Sequence, residues 1–249
     1  MSSLLQLSPE AQRKALRALV ERELGARLLE FETIDPGLGN RRFFRLHLSP
    51  GSRIAPQTSV IARVEAEEDP AKRATGVAPE PELEPLRRFL EDAGLPVPRH
   101  YGGGSLQGIE LLEDLGDNSL EIAATSGSTV ERRALYREAC SLIPRLQRLT
   151  PVEPAPEAFD RRLDRELMKS KAERVIKWAL PWWLGRAPTK GECQVISGSF
   201  SRIAGVCEAA PARFSHRDLK AANIHLRKNA EAGERLVLID LQGAFLAPP

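Results

Sequence analysis

One segment constrains this chain more than any other: Phe214-Ser215-His216-Arg217-Asp218-Leu219-Lys220-Ala221-Ala222-Asn223-Ile224-His225-Leu226. Asp218 and Asn223 lie five positions apart, so a compact loop turns both toward a single point, with Lys220 adding a small positive charge between them. Shortly afterwards an apolar run, Leu236-Val237-Leu238-Ile239, stops at Asp240. Such a run reads as a buried strand. A carboxylate at its end is held on a rigid support, where a divalent ion can be caught. The chain must therefore fold so that a polar loop and the end of a buried strand face each other.

The remainder of the sequence excludes whole classes. With 249 residues the chain is long enough for one large domain or two small lobes around a sizeable core. Apolar residues at 42% and charged residues at 28% rule out bulk disorder. Lys plus Arg is 36 against 34 acids, a formal charge of +2, far from the excess that a phosphate backbone demands, so nucleic acid is not an expected partner. No run approaches the ~20 apolar residues of a membrane-spanning helix. The opening Met1-Ser2-Ser3-Leu4-Leu5-Gln6-Leu7 lacks the basic and long apolar regions of a secretory signal. Cys140, Cys193 and Cys207 are widely spaced, which argues against a disulfide framework or a zinc ribbon and predicts a reducing, cytoplasmic setting. His47, His100, His216 and His225 form no HExxH pair, so metal held by His or Cys is not expected.

Local signals predict the elements. Ser8 caps and Pro9 opens a first helix, with Leu16, Leu19, Val20 and Leu24 on one face before Gly25. Leu28–Ile34, Arg42–Leu48 and Ser59–Glu65 read as strands, Glu80–Ala93 as a helix, and Arg99–Tyr101 with Gln107–Leu112 as a further strand pair. From Asn118 the pattern is helical. Ser128 and Glu131 have capping-box spacing for a helix toward Leu149 that Pro144 is expected to kink. A second helix is expected over Glu157–Leu180, ended by Pro181, and a third opened by Pro188-Thr189-Lys190-Gly191-Glu192 and running to about Ala209. The expectation is an α+β chain: an antiparallel sheet lobe with one or two helices over residues 1–113, then a mainly α lobe over residues 114–249.

Phosphoryl transfer needs the parts found around Asp218. Charge on the transferring group is offset by Mg²⁺ and a lysine while a carboxylate orients the attacking hydroxyl. Mg²⁺ takes oxygen ligands and shares them with a nucleotide, which suits one Asp and one Asn. His216-Arg217-Asp218 with Asn223, followed by Asp240, resembles the catalytic loop and metal-binding aspartate of the protein-kinase-like superfamily. The plain alternative is a buried His-Arg-Asp hydrogen-bond network and an ordinary aspartate at a strand end.

Glu110-Leu111-Leu112-Glu113-Asp114-Leu115-Gly116-Asp117 resembles the hinge of aminoglycoside phosphotransferase-like enzymes, most of all the anomeric sugar kinases acting on N-acetylmuramate and N-acetylglucosamine. Arg41-Arg42-Phe43-Phe44-Arg45-Leu46 and Leu95-Pro96-Val97-Pro98 share that likeness. The long helical stretch between Glu113 and His216 fits these enzymes better than protein kinases.

The resemblance implies a bilobal kinase fold, ATP and Mg²⁺ as cofactors, and a small-molecule hydroxyl acceptor, an amino sugar first. It implies Asp218 as the catalytic base, Lys220 as a γ-phosphate contact, and Asn223 and Asp240 as the Mg²⁺ ligands. Glu113 and Leu115 would read the adenine through their backbone, with no role needed from the Glu113 carboxylate. Gly37 and Gly39 would cover the phosphates or simply form a hairpin turn. Relatives continue into further helices beyond the point matching Pro249, so the likeness also implies a truncated helical lobe.

Departures matter too. Arg63 in Val60-Ile61-Ala62-Arg63 stands where kinases carry a lysine; it is either a nucleotide contact or an ordinary salt-bridged strand residue, and a pairing acid would be Glu82 or Glu84. Leu241-Gln242 follows Asp240 in place of Phe-Gly. Trp178, Trp182 and Trp183 are expected to pack between helices, with a sugar-stacking wall as the alternative, and His225 to sit in the core. Two other functions compete with a sugar kinase: a catalytically weak nucleotide-binding module, and a kinase of a protein or lipopolysaccharide acceptor. The sequence is silent on oligomeric state.

Overall fold

The computed structural model describes residue 4 and residues 8–35, 41–51, 53–54, 57–65, 81–104, 108–228 and 230–249. Helix α1 spans Pro9–Leu24. The Ser8 hydroxyl accepts from the Ala11 N–H, and Gly25 at φ 61 closes the C-terminal end. Strands β1 (Leu28–Ile34), β2 (Arg42–Leu48), β3 (Ser59–Val64), β4 (His100–Gly104) and β5 (Ile109–Glu113) form an antiparallel sheet in the order β1-β2-β3-β5-β4.

Period-two alternation decides what each face of the sheet does. Phe44, Leu46, Leu48, Val60, Ala62, Val64 and Leu111 point one way and bury against Leu16, Leu19, Val20 and Leu24 of α1. Each fully buried leucine stabilises this layer by about 1.5–3 kcal/mol. The intervening residues Phe43, Arg45, Ile61, Arg63 and Leu112 line a cleft on the other face.

Helix α2 (Leu83–Asp92) buries Leu83, Leu86 and Leu90 in a second core instead of under α1. That core is completed by Leu135, Ala139, Leu142 and Leu146 of α4 (Thr129–Gln147). Phe214, Ile224, Leu236 and Leu238 join from three short strands, β6 (Arg213–Ser215), β7 (Ile224–Leu226) and β8 (Leu236–Leu238). Strand β5 serves both cores, Leu111 in the first and Leu112 in the second. Strand β7 pairs with β8, and β6 with β9 (Phe245–Ala247). Between β5 and α4 lies α3 (Leu120–Ser126), capped by Ser119. The expected Ser128–Glu131 capping box opens α4, which continues through Pro144.

The second long helix departs from its expected bounds. Glu157–Phe159 is only a 3₁₀ turn, and α5 starts at Arg165 behind an Asp164 cap. The cause is long-range: the Leu246 N–H bonds the Arg161 carbonyl at 2.8 Å, and the Leu163 N–H bonds the Leu246 carbonyl at 2.9 Å, so this stretch is spent on β9. Nor does Pro181 end the run. After α5 (Arg165–Arg174), a π-helical segment at Val175–Ala179 leads into α6 (Leu180–Leu184), which carries Pro181 in its first turn. Helix α7 (Lys190–Ala209) has the Thr189–Glu192 capping box and packs against α5.

The tryptophans do not pack between helices: Trp178, Trp182 and Trp183 are 67%, 87% and 83% exposed. Val195, Ile203 and Val206 of α7 are exposed as well. Among the described residues no helix is long and apolar enough to cross a membrane.

Candidate active site

The loop after β6 is pinned before it presents anything. His216 is buried, and its ring Nε2 lies 2.9 Å from the Ile239 carbonyl, while the Ile239 N–H donates to the Asn223 carbonyl at 3.0 Å. Burial pushes the His216 pKa below the ordinary histidine range, against the pull of that carbonyl and of nearby Asp240 and Asp218. A neutral ring therefore donates from Nε2. Its Nδ1 is buried with no hydrogen-bond partner among the described residues.

Arg217 (φ 72) and Asp240 (φ 60) are the two residues other than glycine with positive φ among the described residues, and they flank this junction. Left-handed backbone in a non-glycine residue costs of order 1–3 kcal/mol and concentrates at functional sites.

Three of the expected residues meet here. The Asn223 amide Nδ2 donates to the Asp218 carbonyl at 3.0 Å, to Asp218 Oδ2 at 3.2 Å and to Asp240 Oδ2 at 3.4 Å. Asp240 Oδ1 accepts from the Gln242 side-chain amide. Lys220 Nζ donates to Asp218 Oδ2 at 3.0 Å, and both side chains are more than half-open to solvent or nearly so. That bond holds the Asp218 carboxyl below the ordinary carboxylate range, helped by Asn223, and raises the Lys220 ammonium.

Opposite the loop lies a cleft of about 970 Å³, walled by the exposed face of the sheet above and by Asp218, Asn223, Asp240 and Gln242 below. Its back is the segment after β5. Glu113, the last residue of β5, is buried just before it. Its carboxylate accepts from the Arg99 N–H at 3.1 Å and from Arg227 Nε and Nη2 at 2.8 Å each. Asp114 accepts from Ser59 Oγ at 2.7 Å, the Gly116 N–H at 2.9 Å and Arg45 Nε at 2.9 Å. Burial would raise the Asp114 carboxyl, but these donors outweigh it and hold its pKa down. Leu115 lines the cleft, and among the described residues its backbone N–H and carbonyl have no hydrogen-bond partner.

The model of the phosphotransferase enzyme family, APH, matches residues 30–249, which includes all of the sheet but the first two residues of β1, the segment after β5 and the whole Asp218–Asp240 junction. The chain belongs to that family. No curated protein matches it. Among solved structures, this phosphotransferase is similar to APH(2")-IIa in its ternary complex with streptomycin and ATP: 16% identity, 98% of this chain and 73% of that one, TM-score 0.62. ADP-bound aminoglycoside phosphotransferase APH(2'')-Ib gives 15% identity, the same coverage and a TM-score of 0.62. The aminoglycoside phosphotransferase APH(3'')-Id from Streptomyces rimosus, in complex with ADP and streptomycin, gives 20% identity over 95% of this chain and 78% of that one, with a TM-score of 0.51. These likenesses establish the fold.

Within this phosphotransferase the other expected residues fall differently. Arg63 lines the cleft but pairs with neither Glu82 nor Glu84. Its Nη1 donates to Glu110 Oε2 at 2.5 Å, directly across the β3–β5 register, and its Nη2 donates to Glu65. Glu84 is taken by Arg87, three residues on, at 2.6 and 3.0 Å, and Glu82 sits at the α2 N-cap without a side-chain capping bond. Gly37 and Gly39 lie outside the described residues.

The Glu113 carboxylate, given no role in advance, is the clamp between the sheet and β7. Arg227 just after β7 was the available signal, the first of two cations that follow the strand. His225 is only partly buried. It lines the cleft and holds the Gly116 carbonyl at 3.1 Å through Nδ1, and burial lowers its pKa.

Proposed function

We propose that this phosphotransferase is an ATP-dependent kinase that phosphorylates a hydroxyl group of a small molecule, a sugar or amino sugar. The observation that carries the reading is the convergence of Asp218, Asn223 and Asp240 on one wall of the cleft. The unpaired Leu115 backbone at the back of that cleft, beside Glu113, supports a purine edge there, and the triphosphate then runs toward Asp218. Gly37 and Gly39 belong to the same reading as a cover for the phosphates. In this reading residues 1–113 carry the nucleotide and residues 114–249 the catalytic loop, and three free cysteines support a cytoplasmic setting.

Asp218, whose pKa Lys220 holds below the ordinary carboxylate range, is ionised at neutral pH, so its carboxylate can accept a hydrogen bond from the acceptor hydroxyl and aim the oxygen. The hydroxyl oxygen forms a bond to the γ-phosphorus as the bond from that phosphorus to the β,γ-bridging oxygen breaks. The electron pair leaves on ADP and the hydroxyl proton passes to Asp218. Lys220 can lean from Asp218 toward the departing phosphate oxygens, both side chains being exposed.

Asn223 and Asp240 fit Mg²⁺ by donor chemistry: an amide oxygen and a carboxylate, both hard, on a pinned loop and a rigid strand end. When bound there, Mg²⁺ neutralises phosphate charge. Among the described residues no three His, Cys, Asp or Glu side chains group to hold a metal, so an ion held by Asn223 and Asp240 would need further oxygen ligands from outside the chain.

The test is to incubate the protein with ATP, Mg²⁺ and a panel of neutral, amino and acidic sugars and to look for phosphorylated product. Asp218→Asn should lower turnover by about 10²–10⁴-fold while leaving ATP binding in place. No product from the unaltered chain, or equal turnover in the variant, overturns the reading. One observation favours a second function: both terminal nitrogens of Arg63 are occupied by carboxylates, which leaves its charge neutralised. Nucleotide-induced thermal stabilisation without transfer to any acceptor would identify a nucleotide-binding module instead.

A further inference from the structure

The sheet side of the cleft carries two arginines that share one carboxylate. Arg41 and Arg63 both line the cleft, whereas neither Glu65 nor Glu110 belongs to its walls among the described residues. Glu65 directly follows β3 and stands across from Arg41, one step beyond the Arg42–Val64 pair of the β2–β3 register. Its Oε2 lies 3.3 Å from Arg41 Nε, and its Oε1 accepts from Arg63 Nη2. One carboxylate thus bridges two guanidinium groups.

The two acids that hold Arg63 are not equivalent. The Arg63 and Glu110 side chains are only 4% and 7% exposed, so breaking their pair would strand a buried charge. The Glu65 side chain is 44% exposed and can turn out into water, where an ion pair contributes little. Together the four side chains are neutral. With Glu65 turned away, two arginines face one acid and this part of the wall becomes positive. Phosphate oxygens engage a guanidinium fork in the same way as a carboxylate does.

We propose that Glu65 is an internal stand-in for a nucleotide phosphate: it closes the clasp of Arg41 and Arg63 until the phosphates of ATP or ADP displace it. This rests on the kinase reading and adds the residue that sets how tightly phosphate is held. The clasp and Asp218 line one cleft, so a triphosphate running from Leu115 toward Asp218 comes within reach of both arginines. A clasp shut by its own carboxylate lowers the apparent affinity by the fraction of molecules in which it is open. The neutralised charge of Arg63 is then reversible and compatible with phosphate transfer.

Calorimetric titration of the full chain with adenosine, ADP and ATP, each with Mg²⁺, tests this in the unaltered protein and in Glu65→Gln. The variant should bind ADP and ATP about three- to tenfold more tightly, two weak bridges being removed, and adenosine no differently. A gain in affinity cannot come from a damaged fold. Glu21→Gln, an exposed change on α1 behind the sheet, removes the same charge and should leave all three affinities unchanged. Adding Arg41→Gln to Glu65→Gln should cancel much of the gain, and 0.5 M salt should shrink it.

ADP affinity that is unchanged or weaker in Glu65→Gln overturns the stand-in. So does a gain that adenosine or Glu21→Gln shares, or one that Arg41→Gln leaves whole. Any of these results alongside phosphate transfer to a sugar by the unaltered chain leaves the kinase reading standing. Tighter ADP binding in Glu65→Gln without transfer to any acceptor would do the reverse. Absence of ADP and ATP binding in both proteins defeats the two together.

Discussion

At the scale of single residues, one buried and one partly buried histidine tie the cleft to pH. His216 and His225 both sit below the ordinary histidine range in the folded chain because burial disfavours the imidazolium. Once unfolded they return to a pKa of about 6.5, so just below that pH the unfolded chain binds more protons than the folded one. Stability is then whole above pH ~6.5 and falls as acid moves the pH toward the depressed folded values.

The melting temperature should therefore be flat from pH 7 to 8 and decline below about 6.5. His225→Asn, which keeps a donor near the Gly116 carbonyl and cannot titrate, should flatten part of that decline. An unchanged slope in the variant would show that the acid sensitivity resides elsewhere. The meeting of Asp218, Asn223 and Asp240 was legible in the sequence, because the three follow one another in a fixed order on short supports. The partners of Arg63 and Glu113 were not. Glu110 faces Arg63 only through strand register, and Arg227 reaches Glu113 only once β7 and the sheet are brought together.

Among the elements, β4 depends on a glycine for geometric reasons. Gly103 has φ 85, and a Cβ built there would lie 2.1 Å from the Ile109 carbonyl oxygen on β5, an approach backbone cannot yield to without moving. Gly103→Ala should unpair β4 from β5, which hydrogen exchange would register as lost protection at Ile109 and Leu111 and calorimetry as a lower melting temperature. Unchanged protection there would show that the edge strand tolerates the shift.

Elements read correctly from sequence are those whose signals are local. Helices α1 and α7 begin at their caps, and β1 and β2 keep the bounds their alternation predicts. The error at α5 has the opposite character. Residues 161–163 have helical composition, but pairing with Leu246, more than eighty positions away, claims their backbone first. The π-helical segment before Pro181 lies equally beyond any short-range rule.

For the whole molecule, the α5–α7 region is the unusual surface. It exposes Trp178, Trp182 and Trp183 on one helical run and Val195, Ile203 and Val206 on the other. Apolar patches of this kind bind apolar molecules and promote association. The native protein should enhance the fluorescence of a hydrophobic dye such as ANS under conditions where it is fully folded. Replacing the three tryptophans with glutamine should abolish most of that signal and leave the melting temperature nearly unchanged, since none of the three is buried. Dye binding that persists in the triple variant would place the apolar surface elsewhere.

Both halves of the fold hang on β5. Its consecutive leucines, Leu111 and Leu112, serve opposite cores, so the partition between them is one backbone thick. Disorder that starts under α1 must cross that partition to spread, yet it cannot reach the partition without disturbing the wall of the cleft. Heat should thus melt the two halves as one, and a ligand filling the cleft should brace the helix on the far side of the sheet.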